Sequence, residues 1–342
     1  MKIQNITYTL ITISIIIGIL IFAQSIIIPF VVALLIWFIV KKMRNLLDHS
    51  NFIKKNIPQW TKTFLASFFI FGILFFIFRI MGSNVENLAK SFSQNSKNTG
   101  ELLNEINQIF HIDIDERVNH YLSTTNFSSQ FKSLANSLSV GLGNFVMIVF
   151  YVTFLFFEET FFQNKIRIIF SDEKRYQNVL QIIKKVDKSM ANYISLKSLV
   201  NLFSASLSFI ILYISGIDSP VFWAFLIFIF NFIPAIGPIF GTIIPSIYAL
   251  MQFGDFGTFF IIFFGVGTTV VTIGSLVEPR VMGNSLNISP LVTIISLAVW
   301  GSIWGILGML LCVPITVAMI IIFAQFDKTK SIAILLSEKG VV

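Results

Sequence analysis

Cysteine occurs once, at Cys312, so the chain can form no internal disulfide and no thiolate metal cluster. Histidine is nearly as scarce, with three residues, and no H-E-x-x-H pair of zinc ligands occurs. His111 lies near Asp113, Asp115 and Glu116, but that spacing matches no metal site and reads as solvated surface. The chain has no serine, histidine and acid arrangement of the kind hydrolases use. No G-x-x-x-x-G-K-[ST] loop is present, so the chain carries no ATP-binding engine of its own. Charged residues make up only 12% of the sequence, against ~25% in soluble domains. With these signatures missing, the expectation is a non-enzyme without a metal centre or cofactor.

What fills the chain instead is apolar. Hydrophobic residues account for 55%, in runs such as 11–40, 64–80 and 298–326 that no soluble core explains. The expected fold class is an all-α polytopic membrane protein with about eight membrane segments. The net charge of +7 sits in short loops beside the apolar runs, where Lys and Arg set orientation. Its partner is the membrane lipid surface, not nucleic acid.

The order of segments follows from charge and periodicity. Residues 1–81 hold a helical hairpin (6–24 and 26–40), with Pro29 in the first turn of its second helix, and a third span at 60–81. The long apolar start reads as uncleaved, not as a signal peptide. Lys41, Lys42, Arg44, Lys54 and Lys55 form a basic cluster before the third span. Residues 82–138 carry a net acidic balance and short amphipathic patterns, which predicts an extracytoplasmic helical insert. Residues 139–190 give a fourth span and a second basic loop at 163–190. Both basic clusters place the N-terminus in the cytoplasm, and residues 327–342 form a short tail. The remaining block, 191–326, is the expected transport core.

Within that block the apolar sequence keeps interrupting itself. Residues 220–252 contain Pro220, Pro234, Gly237, Pro238, Gly241 and Pro245, and the run to 326 contains Gly301, Gly305, Gly308 and Pro314. Proline removes a helix donor and clashes with the preceding turn. In lipid, a broken helix survives only where it is buried in protein or lines a cavity. The expectation is two broken or re-entrant hairpins, packed through Gly241, Gly301, Gly305, Gly308 and Pro314, lining a substrate or ion path.

Candidate path residues are Asn231, Pro234, Gly237, Pro238, Glu278, Arg280, Ser198 and Asn201. Each has two readings. Ser198, Asn201, Ser204 and Ser208 recur at helical spacing, as a packing face or as a polar wall. Asn231 contacts a solute or satisfies carbonyls freed by Pro234. Glu278 and Arg280 flank Pro279 as an ion- or proton-coupled gate, or mark a helix end. Lys197 reads as a snorkelling lysine.

The run Phe230-Asn231-Phe232-Ile233-Pro234, with Gly237-Pro238 and Pro245 behind it, resembles the NFIPxxGP motif of the AI-2E family of transporters, also described as permeases. Glu278-Pro279-Arg280, Met282-Gly283 and Ser285-Leu286 resemble that family's EPRxMGxSL motif. Trp300-Gly301, Trp304-Gly305, Gly308 and Val313-Pro314 are similar to its glycine-rich last segment, while Ser289 stands where the family often carries His. The resemblance implies a secondary transporter of the cell inner membrane with both ends, the tail 327–342 included, in the cytoplasm, moving a small solute such as autoinducer-2, ion-coupled through H+ or Na+, and a homo-oligomer. One alternative is a monovalent cation (Na+/Li+)–proton antiporter. Another is a non-transporting membrane scaffold that binds a partner through 82–138.

Overall fold

The computed structural model describes residues 3–48, 55, 57–94, 127–283 and 287–340. Among these the regular structure is helical, without a strand. The helices are α1 (Ile3–Phe22), α2 (Gln24–Leu47), α3 (Gln59–Gln94), α4 (Phe127–Ile169), α5 (Glu173–Ile214), α6 (Pro220–Phe230), α7 (Ile236–Phe253), α8 (Phe256–Thr272), α9 (Glu278–Met282), α10 (Pro290–Phe323) and α11 (Lys330–Leu336). Seven of the described helices are long and apolar enough to cross a membrane, and Leu10–Phe22 and Pro220–Phe230 add two shorter apolar ones. The protein is therefore an all-α polytopic membrane protein.

Several helices outrun the apolar segments that the sequence marks. α3 has 36 residues and runs on to Gln94, past position 81. The segment 163–190, read from its charge as a loop, is helical except around 170–172. No proline or glycine interrupts 173–214, and the Asp172 carboxylate accepts from the amides of Lys174 and Arg175 at the start of α5. Pro29 lies inside α2, not in its first turn, because α2 begins already at Gln24. The insert expected at 82–138 falls largely on 95–126, outside the described residues. Of its ends, 82–94 belong to α3 and 127–138 to α4.

The chain divides into two compact units, one of residues 1–67, 143–196 and 284–342, the other of 68–142 and 197–283. The first unit carries an ionic cluster. Lys41 pairs with Asp187 at 2.5 Å, Arg44 with Glu159 at 2.9 Å and the buried Lys62 with Asp48 at 2.6 Å. Trp304 Nε1 donates to the carbonyl of Leu20 at 3.0 Å, one of the last carbonyls of α1, which the helix itself leaves free.

Helix α10 in this unit is not straight. Gly305 sits at φ +61, ψ −141 inside it. A Cβ built on Gly308 would lie 1.9 Å from the carbonyl oxygen of Trp300, and one on Gly301 3.0 Å from Met309. In a straight helix, residues eight apart are separated by ~12 Å. These contacts, both centred on residues 304–305, therefore mean that the chain reverses there and runs back along itself.

The second unit has an apolar core built from Leu212 of α5, Phe222, Trp223 and Ile227 of α6, Tyr248 and Ala249 of α7 and Ile262, Val266 and Val270 of α8, with Met81, Val85 and Leu88 of α3. Glycines bring α8 close to its neighbours. Gly265 would meet Ile211 at 3.0 Å and Gly267 would meet Thr242 at 3.2 Å if either carried a side chain. Asp255 caps α8 by accepting from Thr258 N at 2.8 Å, and the backbone amides of Thr258 and Gly257 hold its carboxyl below the usual aspartate value. After α8 comes a π turn, Ile273–Val277, in which the amide of Glu278 reaches back to Ile273 O. Pro279 has no amide hydrogen, so the Ser275 carbonyl loses its regular donor, and the wider turn absorbs the mismatch.

Candidate functional site

The site lies within the second unit, where α5, the α6–α7 turn and the start of α9 meet. The hairpin turn comes first. Helix α6 stops at Phe230 because Pro234 restricts the residue before it and cannot donate to a continuing helix. The turn is closed by backbone bonds from Phe232 N to Ile229 O, Ile233 N to Phe230 O and Gly237 N to Ile233 O. Ala235, at φ 60 and ψ −45, lets Ile236 N bond Pro234 O at 2.6 Å, a three-residue turn in the left-handed half of backbone space. Pro238 falls in the first turn of α7, where no helix donor is required. A Cβ on Gly237 would lie 1.8 Å from Phe230 O, and one on Gly241 3.6 Å from Ile227. Both contacts are centred on residues 233–234, so this segment too folds back on itself.

Facing the turn is a polar stripe on α5. Lys197, Asn201, Ser204 and Ser208 are spaced four, three and four apart and all are buried. Asn201 Nδ2 donates to Phe228 O at 3.3 Å, a carbonyl in the last turn of α6 that the helix end leaves free. Asn231 Nδ2 donates to Ser204 Oγ at 3.2 Å. Two buried oxygens among the described residues have no hydrogen-bond partner, Asn231 Oδ1 and Ser208 Oγ. Such atoms are uncommon in buried sites and need a physical account.

At the other end of the stripe, Lys197 Nζ meets Glu278 Oε1 at 2.5 Å, with side chains 10% and 26% exposed. Two opposite charges at this distance cancel locally, so the site combines hydrogen-bonding capacity with no net charge. Breaking the pair would leave one charge poorly solvated, at a cost of ~2–4 kcal/mol.

Among the residues singled out from sequence, the structure brings together Asn201, Asn231 and Glu278, with Pro234, Gly237 and Pro238 shaping the turn. Ser198 is half-buried, one position off the stripe, and Arg280 is exposed in α9. Lys197, read as a snorkelling residue, is instead the ion partner of Glu278. The missed signal was its spacing, since Lys197 precedes Asn201 by one helical turn on the same face. Among the described residues no three His, Cys, Asp or Glu side chains form a metal-binding group.

Long apolar helices around a buried polar stripe, its one lysine ion-paired, and a proline-broken hairpin suit a polytopic membrane protein of the transporter class. The chain belongs to the AI-2E family: the model of the AI-2E family transporter matches residues 10–328. It is 26% identical over 321 residues to the AI-2 transport protein TqsA of Escherichia coli (strain K12), covering 93% of this chain and 91% of that protein. A transport protein of Haemophilus influenzae is 27% identical over 92% of this chain and 91% of its own length. Another, of Borreliella burgdorferi, is 36% identical over 43% of this chain and 41% of its own.

Proposed function

We propose that this transporter is a secondary transporter that carries a small polar solute across the inner membrane, with both termini in the cytoplasm, and that it works as a homo-oligomer. The supporting observation is the buried Asn231 on the α6–α7 turn, one end bonded to Ser204 and the other without a partner. An amide held at one end with a free acceptor at the other offers a bonding position to a solute. The hairpin arms fit a re-entrant placement. α6 has 11 residues, which at ~1.5 Å each span ~16 Å, about half of a ~30 Å hydrocarbon core, while α7, with 18, is at the short end of the crossing range. In the other unit, the arms of α10 on either side of Gly305 are similarly short. The name of the relative TqsA makes AI-2 the first solute to test. Purified protein in liposomes loaded with AI-2 should show counterflow that Asn231→Leu reduces at least ~10-fold. Equal counterflow in that variant would remove Asn231 from the path.

The Lys197–Glu278 pair favours a second reading, monovalent cation–proton exchange. A half-buried carboxylate whose counter-ion is a buried lysine can exchange that lysine for a bound cation or proton. A pH jump across the liposome membrane, with and without sodium, separates the readings. Sodium-dependent proton movement lost in Glu278→Gln supports exchange, and identical traces with and without sodium exclude it.

A further inference from the structure

From the unpaired oxygens in the second unit we infer a seat for an uncharged hydroxyl, formed by Asn231 Oδ1 and Ser208 Oγ. This deepens the transport reading and rests on it for the identity of the occupant as a transported solute.

The chemistry follows from what each atom lacks. Asn231 Oδ1 is only an acceptor and has no donor, and its amide group is fixed in orientation by the bond from Nδ2 to Ser204 Oγ. Ser208 Oγ, fully buried, has neither donor nor acceptor among the described residues. Ser208 follows Ser204 by one turn on the same stripe, and Ser204 is the residue to which the Asn231 amide is bonded, so both free oxygens belong to the same stretch of α5 and the turn beside it. A solute oxygen that serves both would sit ~2.8 Å from each, the length of an O–H···O bond.

A hydroxyl in that position donates to Asn231 Oδ1 and accepts the proton of Ser208, so both buried atoms are satisfied at once. A carboxylate takes the serine proton but turns its lone pairs on Asn231 Oδ1. An ammonium satisfies the acceptors but brings an unpaired charge beside two buried neutral groups, which is costly. The seat therefore selects neutral, hydroxyl-bearing solutes over anions and cations of equal size. Two sources supply such an oxygen, a solute hydroxyl and a resident water, and the test separates them.

The probe is erythritol, an uncharged four-carbon polyol, against 2-hydroxybutyrate, a four-carbon anion. Entry into proteoliposomes is followed by light scattering. Wild-type protein should admit erythritol faster than protein-free liposomes do. Ser208→Ala and Asn231→Leu should each lower that rate ~10-fold, the effect of a lost buried hydrogen bond. Ser208→Thr, which keeps the hydroxyl, should retain it, and Ser206→Ala on the exposed side of α5 serves as a control. Preference for 2-hydroxybutyrate, or erythritol entry unchanged in Ser208→Ala, overturns the hydroxyl seat and leaves transport standing. If neither probe moves, thermal unfolding of the purified protein decides. A rise in midpoint with erythritol that Ser208→Ala abolishes supports the seat, while the transport reading falls. The same response in both proteins overturns the seat and leaves a resident water as its occupant.

Discussion

A side chain on Gly237 would place its Cβ 1.8 Å from the carbonyl oxygen of Phe230, so the returning arm of the first hairpin crosses the outgoing one backbone against backbone. Gly308 stands in the same relation to Trp300, at 1.9 Å. In each case the obstacle is a carbonyl, which cannot swing aside as a flexible side chain does.

Gly237→Ala and Gly308→Ala should therefore each destabilise the protein by ~3 kcal/mol or more, the upper range for overpacking. The measurement is the thermal midpoint of the detergent-purified variants. Gly72→Ala, at a helical position with nothing within 4 Å of the added carbon, should be neutral or stabilising by up to ~1 kcal/mol. Equal behaviour of all three variants would disprove the hairpin reversal at these glycines.

The Lys197–Glu278 pair predicts a marked non-additivity. Lys197→Met leaves Glu278 without its cation, and Glu278→Gln leaves Lys197 buried without its anion. Each should cost ~2–4 kcal/mol, whereas the double variant, with no charge to strand, should recover at least ~1 kcal/mol of the summed loss. A double-mutant cycle on unfolding midpoints measures this coupling. Additive losses would mean that the two side chains act independently.

Asp255 carries a pH dependence of definite sign. Its carboxyl is held below the ordinary value of 3.8 by amides at the start of α8, so its folded pKa lies below its unfolded one. The stability it contributes is present in full above the unfolded value and disappears as pH falls through the folded one. Asp255→Ala should thus lower the unfolding midpoint at neutral pH, and the difference from wild type should shrink towards zero in acid below about pH 4. A gap that stays constant from neutral pH into acid would argue against the ionised cap.

How much of this was readable beforehand differs by residue. Pro234 and Gly237 announced the first reversal because proline and glycine constrain the backbone through local chemistry, which a sequence displays. The stripe Asn201, Ser204, Ser208 was visible as a periodicity. Lys197 does not stand out as part of the same face, because a lysine close to the start of an apolar run has an easier explanation, and its partner Glu278 is 81 positions away. The lengths of α3 and α5 escaped notice for another reason. Charge patterns report where a helix leaves the apolar layer, not where its hydrogen bonding ends, and nothing from 173 to 214 breaks it.

The π turn at Ile273–Val277 acts as a one-residue slip of phase. A regular helix turns ~100° per residue, so closing one turn with an additional residue rotates everything beyond it by about that angle relative to an uninterrupted rod. The facing of Glu278 towards Lys197 is therefore a property of the chain's winding as well as of its composition. A helix with the same residues and one fewer in that turn would carry the carboxylate roughly a quarter of the way around its circumference.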